Sequence, residues 1–305
     1  MDGRLFAPPL SGPEGLPEGF WESLKNPVEA PEQPFRILDF DVVLNLPDTL
    51  ARGVRGHMAL QEGRGEGVRG HRVRVLRSPK PQFQGASRRP LDYHIVFLQA
   101  PSALEFYAYH FAGRIPLDGG EPVLALGEAA EDHLITEVEN FLRVYAAFLL
   151  LREQAFLLHS SAAVVEGEAV VFFGHSGAGK STSALLCQEA GHPVLSDDLN
   201  ILCERGGRWC VQASPFISEI KSVQPGLFPV RRLFFLYKAK QNGIDSVPRP
   251  LQMAYLFSNL VVVNAIPGLH GDIVRVLDRL LPQVPVTALH FKNDKEFVPW
   301  LRSHW

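Results

Sequence analysis

A glycine-rich segment in the second half of the chain limits the possible folds more than any other feature of the sequence. Residues 174–181 are GHSGAGKS, which fits the phosphate-loop pattern G-x-x-x-x-G-K-[ST]. The pattern requires a strand before it and a helix after it, and the apolar run 169–173 and a predicted helix over 180–190 satisfy both conditions. We therefore predict that the segment binds the phosphates of a nucleotide. The candidate binding residues are Gly174, His175, Ser176, Gly177, Ala178, Gly179, Lys180, Ser181 and Thr182.

Each residue type in this loop has a physical reason. The glycines permit tight turns that direct successive N–H groups inward, and the start of the helix adds the positive end of its dipole. Lys180 is predicted to reach the outer phosphates as a point charge, and the Ser181 hydroxyl is placed to ligate Mg²⁺. The predicted cofactors are therefore ATP, or another nucleoside triphosphate, and Mg²⁺. The donor stays open among ATP, GTP and pyrophosphate.

A pair of carboxylates follows the predicted helix. Asp197 and Asp198 come directly after a short apolar strand that starts near Pro193. Phosphate-loop proteins need a carboxylate near the metal, and in a pair one can hold Mg²⁺ while the other accepts a proton from the attacking hydroxyl. The alternative is a surface loop or helix cap. His159 lies fifteen residues before Gly174, and its spacing alone favours a structural histidine.

The overall composition excludes several classes of protein. The 305 residues carry a net charge of −3, which predicts no general attraction to nucleic acid or to a membrane. The three cysteines lack metal or redox spacing and indicate a reducing compartment. Because the N-terminus also lacks a basic segment followed by an apolar run, we expect a cytoplasmic protein without a signal peptide. Self-association into a homo-oligomer stays open.

Changes in pattern predict an α/β protein with three regions. Prolines are dense in residues 1–34, which predicts an extended arm without regular elements. Residues 35–152 are predicted to form a smaller β-rich α+β accessory domain that ends in a long amphipathic helix, with strands at 35–44, 71–76 and 93–98. Residues 153–305 are predicted to form the α/β phosphate-loop domain. The basic stretch 52–89 is either a surface for an acidic partner or a solvated loop, and its pattern favours the loop.

Several of these residues together resemble the HPr kinase/phosphorylase family and the broader group of HPr-kinase-like proteins. The resemblance consists of LHSSA at 158–162, GHSGAGKST at 174–182, Gly191-His192, and Ser196-Asp197-Asp198, and it covers residues 140–305. It implies a C-terminal P-loop kinase domain of the type shared with phosphoenolpyruvate carboxykinase. It also implies that Asp197 is the base, that Asp198 and Ser181 hold the metal, and that His159 lies beside the carboxylates as part of the catalytic group with Lys180.

Two departures from the family argue against HPr as the acceptor. The bifunctional HPr enzymes carry Glu where this chain has Thr182, and their Leu-Glu-x-Arg-Gly-x-Gly signature is replaced by Ser214–Ser222. Within that segment Glu219 is a candidate second metal ligand and Lys221 a candidate phosphate contact. We therefore expect a Mg²⁺-dependent kinase that acts on a serine-like hydroxyl of a small molecule or peptide. The alternatives are a nucleotide-binding regulatory or interaction protein without phosphotransfer and, less favoured, an ATPase that drives motion.

Overall fold

The computed structural model describes residues 16, 19–58, 69–78, 95–100, 102–216, 220 and 224–304. The chain divides into two units, the first ending at Ala146 and the second beginning at Ala147. Each unit contains one β-sheet together with helices, so the mixed α/β class predicted from the sequence is confirmed. The predicted division into 1–34, 35–152 and 153–305 stays a prediction.

The first unit is built on a sheet of mixed direction. The elements are α1 (Phe20–Ser23), β1 (Asn26–Pro27), β2 (Glu32–Ile37), β3 (Phe40–Asn45), α2 (Asp48–Gly56), β4 (Arg69–Arg77), β5 (Val96–Gln99), β6 (Ala103–Tyr107), β7 (Phe111–Pro116), β8 (Val123–Leu126) and α3 (Glu131–Arg152). The strand order is β2-β3-β4-β8-β7-β6-β5, and β1 pairs with β4. Helix α3 begins in this unit and ends in the second.

Two predictions for this unit were wrong in detail. The proline-rich arm does contain regular elements, because α1, β1 and the start of β2 lie within it. Pro34 is tolerated since β2 is an edge strand of the sheet, where a missing N–H donor costs little. The single strand predicted at 35–44 is a hairpin of β2 and β3, because Leu38 has a φ of 52° and reverses the chain. Residues 1–15 lie outside the described part.

The basic stretch 52–89 is not a plain loop where the structure describes it. Arg52 lies in α2, and the arginines of 69–77 lie on strand β4. Arg72 forms an ion pair with Glu32, and Arg74 lies 3.6 Å from Glu121. Both acids lie outside the stretch in the sequence, and they offset part of its positive charge. Residues 59–68 and 79–94 are outside the described part.

The second unit carries the glycine-rich segment. The elements are β9 (Phe156–Val165), β10 (Glu168–Phe173), α4 (Lys180–Glu189), β11 (Val194–Ser196), β12 (Leu199–Arg205), β13 (Arg208–Ala213), β14 (Phe228–Lys238), β15 (Gly243–Ser246), α5 (Arg249–Asn259), α6 (His270–Leu280), β16 (Val286–Phe291) and α7 (Phe297–His304). The sheet has the order β10-β9-β12-β13-β14-β16-β15, with β11 paired to β9 and β10 also paired to β14. Short 3-10 turns at Val263–Ala265 and Pro267–Leu269 precede helix α6.

The strand before the glycine-rich segment is buried on both faces. β10 lies between β9, antiparallel to it, and β14, parallel to it. Phe172 stacks on Phe234 with 5.9 Å between ring centroids, within a core cluster that includes Ala184 of α4 and Phe297 of α7. A strand fixed on both sides gives the loop that follows it a rigid starting point.

In this unit one β-hairpin lies before the glycine-rich segment along the chain and another lies after it. Glu166 and Gly167 form the turn between β9 and β10, and their φ values of 54° and 82° are those that a type I′ turn requires. The β12–β13 hairpin, whose turn residues Gly206 and Gly207 also have positive φ, was not predicted. None of the helices in the described part of the chain has both the length and the apolar character needed to cross a membrane.

Candidate phosphate-binding site

The glycine-rich segment forms a turn that only glycine accommodates at its two ends. Gly174 has a φ of 149° and Gly179 a φ of 111°. A Cβ atom on Gly174 would lie 3.3 Å from the backbone oxygen of Leu236, and one on Gly179 would lie 2.9 Å from the ring of Phe291. The loop therefore lies close to the carboxyl ends of β14 and β16, where ligands bind in open α/β sheets.

Helix α4 begins directly at the end of this turn. Gly179 is its N-cap residue in the left-handed conformation, and because glycine has no side chain it cannot cap the first turn. The amide groups of a first turn have no partner within the helix and attract anions. Ser181 and Thr182 are half-buried in that turn, whereas His175, Ser176 and Gly177 are exposed. The ring of His175 packs edge-on against Phe235, with 5.4 Å between the ring centroids.

The Lys180 side chain points back into the loop. It is 7% exposed, and its ammonium donates to the carbonyl oxygens of Gly174 at 3.0 Å and His175 at 3.3 Å. Burial lowers the pKa of Lys180, and the negative charge of Asp198 opposes that effect. The ammonium therefore lies inside the turn, within electrostatic reach of one of the two predicted carboxylates.

The two neighbouring aspartates differ in their surroundings. Asp197 is 4% exposed, and its Oδ1 accepts a hydrogen bond from the backbone N–H of Ile220 at 3.3 Å. The Asp198 side chain is 34% exposed, and its Oδ1 lies 3.1 Å from Nδ1 of His159. The Ser196 hydroxyl accepts from the backbone N–H of Asp198 at 3.2 Å, which fixes the bend between β11 and β12. The adjacent carboxylates therefore have separate contacts.

Strand register explains why His159 reaches Asp198. Phe173, the last residue of β10, is paired with Ser160 of β9, so His159 lies level with the start of the loop. Leu199 of β12 is paired with His159, and the N–H of Ser160 donates to the carbonyl of Asp198 at 2.9 Å. The structure thus brings together Lys180, Asp198 and His159. Glu219 and Lys221 lie outside the described residues.

Some residues around the loop were missed from the sequence. Phe291 supports Gly179 and Phe235 contacts His175, and both come from strands far away along the chain. No local pattern could identify them. Ser196 did carry a signal, because a serine before a turn often bonds to the backbone N–H two residues later. Ser161 was also missed, although its hydroxyl donates to the carbonyl oxygen of Lys180, the first residue of α4.

The residues of the site suit Mg²⁺ in their chemistry. No three His, Cys, Asp or Glu side chains converge as a metal cluster within the ranges that the structure describes. Mg²⁺ does not need such a cluster, because it usually binds one or two carboxylates together with phosphate oxygens and water. The partly exposed carboxylate of Asp198 and the half-buried hydroxyl of Ser181 are oxygen donors of the required kind.

No family model and no curated protein matches this chain. Fifty-one chains of solved structures match it, among them the Hpr(Ser) kinase/phosphatase from Coxiella burnetii. That structure has a TM-score of 0.23 and 18% sequence identity, and the match covers 31% of this chain and 66% of that one. This chain thus spans slightly less than two thirds of its length. A likeness at this TM-score carries no argument, so the assignment of function rests on the residues described above.

Proposed function

We propose that the protein is a Mg²⁺-dependent kinase that transfers the terminal phosphate of ATP or another nucleoside triphosphate to a serine-like hydroxyl of a small molecule or peptide. One observation carries the proposal: the buried ammonium of Lys180 lies in a glycine turn within electrostatic reach of Asp198, which contacts His159. A cation, oriented amides and an accessible carboxylate at one sheet edge are what phosphoryl transfer requires. The P-loop kinase domain of the HPr-kinase type over 153–305 is part of this proposal.

The chain's own residues divide the work as follows. The amides of 174–182 and the Lys180 ammonium bind the phosphates and hold the terminal phosphorus in line with the acceptor. Asp197 takes the proton of the acceptor hydroxyl while the hydroxyl oxygen bonds to the terminal phosphorus. As this bond forms, the bond between that phosphorus and the bridging oxygen breaks, and the nucleoside diphosphate is the leaving group. Ser181 and Asp198, with Glu219 as a candidate third ligand, hold Mg²⁺, which when bound neutralises charge on the outer phosphates.

Asp197→Asn tests the assignment of the base. With Mg-ATP and a panel of hydroxyl acceptors, acceptor-dependent release of ADP should fall by roughly a hundredfold to ten-thousandfold, whereas nucleotide affinity should be kept. Asp278→Asn is the matched control, because Asp278 forms an exposed ion pair with Arg249 between α6 and α5. Turnover that stays at the wild-type rate in Asp197→Asn would remove Asp197 from the mechanism.

A second candidate is a nucleotide-binding regulatory protein without phosphotransfer. The specific observation in its favour is the burial of Asp197, whose carboxylate accepts a hydrogen bond from the backbone of Ile220 and could serve structure alone. In that case ATP should raise the melting temperature, neither wild type nor Asp197→Asn should phosphorylate any acceptor, and the variant should only lower stability. The two candidates therefore differ in whether the wild-type protein shows acceptor-dependent release of ADP that Asp197→Asn loses.

The proposal places the reaction in the cytoplasm. Cys187, Cys203 and Cys210 are buried and are not joined in disulfides, as expected for a protein of a reducing compartment. The acceptor is proposed as a hydroxyl-bearing small molecule or peptide rather than HPr, because Thr182 replaces the glutamate of the bifunctional enzymes.

A further inference from the structure

Two buried serines hold the backbone of the phosphate-loop lysine. The hydroxyls of Ser161 on β9 and Ser183 on α4 each donate to the carbonyl oxygen of Lys180 at 2.7 Å. Their oxygens are 3.4 Å apart, and both residues are fully buried. Ser183 belongs to the same helix turn, but Ser161 comes from a different element. The Ser161 hydrogen bond therefore connects the start of α4 to the strand that carries His159.

The alternation of side chains along a strand makes this connection meaningful. His159 and Ser161 are two residues apart on β9, so they lie on the same face, roughly 6.7 Å apart along the strand. Ala163 continues that face and belongs to the core cluster with Ala184 and Cys187 of α4. His159 contacts Asp198, and Ser161 contacts the first residue of α4. One face of β9 thus contacts both Asp198 and the start of α4.

We propose that Ser161 is a positioning residue that sets the separation between the phosphate loop and Asp198. It acts through the Lys180 carbonyl and touches neither nucleotide nor metal. The next residue along α4 is Ser181, so the Ser161 contact also fixes where that hydroxyl lies relative to Asp198. The inference rests on the nucleotide- and magnesium-binding part of the proposed function, because Mg²⁺ held by Ser181 and Asp198 requires the correct distance between them.

Ser161→Ala isolates this role with little risk to folding. The substitution removes one hydroxyl, and the Lys180 carbonyl still accepts from Ser183, so no buried acceptor loses all its partners. Ser160→Ala is the matched control. Ser160 is equally buried on the same strand, but it lies on the other face. Its hydroxyl donates to the carbonyl of Leu158 at 3.2 Å and accepts from Nδ2 of Asn200 at 3.0 Å. Asn200 retains its hydrogen bond to the Ser160 backbone oxygen at 2.7 Å.

The experiment measures the binding of a non-hydrolysable ATP analogue by calorimetry, with and without Mg²⁺. The magnesium ratio is the dissociation constant without Mg²⁺ divided by the constant with it. We expect Ser161→Ala to lower this ratio by roughly tenfold, the equivalent of one hydrogen bond's net contribution, with little change in the metal-free constant. Ser160→Ala should leave the ratio within about twofold of wild type even where it lowers the melting temperature by a similar amount.

The outcomes separate this inference from the proposed kinase activity. Equal magnesium ratios in Ser161→Ala and wild type, or an equal loss in both serine variants, would overturn the positioning role. A wild-type magnesium ratio near one would overturn it too, because there would be no metal geometry to set. If the wild-type protein transfers no phosphate to any acceptor but Ser161→Ala still lowers the magnesium ratio, the positioning role stands and the kinase proposal fails.

Discussion

Lys180 in the second unit and Glu137 in the first are both buried ionisable side chains on helices, and their surroundings differ in an instructive way. Lys180 in the second unit is 7% exposed, and Glu137 in the first is 8% exposed. Burial disfavours the charged form of both, so it lowers the pKa of Lys180 and raises the pKa of Glu137 to about 7. Burial has the same kind of cost for both side chains, but the groups that surround them differ.

Lys180 is surrounded by groups that favour its charge, namely two loop carbonyls and the nearby carboxylate of Asp198. Glu137 accepts hydrogen bonds from the backbone N–H of His110 at 3.1 Å and from the side chain of Asn140, which are weaker compensation for a buried negative charge. The difference indicates that Lys180 in the second unit is a cation suited to bind an anion. It also indicates that the carboxyl group of Glu137 in the first unit readily binds a proton. Each variant below tests one side of this comparison.

Lys180→Met should have the largest effect. The nucleotide loses charge-assisted hydrogen bonds from the ammonium, so affinity should fall by roughly a hundredfold or more, and ATP should no longer raise the melting temperature. Methionine fills similar volume without a buried charge, so the stability of the free protein should not decrease. Lys25→Met, at an exposed position of the first unit, is the control. Undiminished binding by Lys180→Met would contradict the comparison.

Glu137→Gln should change how stability depends on pH. Because the folded pKa of about 7 lies above the ordinary value of 4.5, the folded state binds more protons than the unfolded state between these values. Stability should therefore be highest below pH 4.5 and fall as pH rises through 7, by roughly 3 kcal/mol for this group. Urea unfolding of the full chain at a series of pH values measures the effect.

Glutamine cannot titrate, so Glu137→Gln should abolish this part of the pH dependence. Glu29→Gln, at an exposed position, should leave the pH dependence as it is in wild type. Parallel pH profiles for wild type and Glu137→Gln would show that the carboxylate is better compensated than its contacts indicate, and the contrast with Lys180 would disappear.

Local patterns predicted the region around Lys180 well. The helix predicted over 180–190 depends on neighbouring residues and is confirmed, since α4 begins at Lys180 and Gly191, just beyond its end, has a φ of 84°. The contrast with Leu38 is informative. A leucine with positive φ is rare, so the residue types around Leu38 did not indicate a turn, and the β2–β3 hairpin was predicted as a single strand.

Contacts between distant segments explain the rest of what was missed. Glu32 neutralises Arg72 from 40 residues away, and Ser161 reaches the Lys180 carbonyl from 19 residues away. Sequence spacing carries no information on such pairs until the strand register is known. The register also decides that Asp198, rather than Asp197, lies beside His159, a distinction that two adjacent carboxylates in a sequence cannot reveal.

Replacement of His159 should have the smallest effect and tests the environment of Asp198. His159 and Asp198 are each about one third exposed, so solvent screens their contact at 3.1 Å. His159→Leu removes the donor and should weaken magnesium-dependent nucleotide binding by only about fivefold. His159→Asn keeps an N–H donor near the position of Nδ1 and should recover most of that loss. If both variants lost equal affinity, the ring would act by its shape, and the charge of Asp198 would be balanced mainly by Lys180.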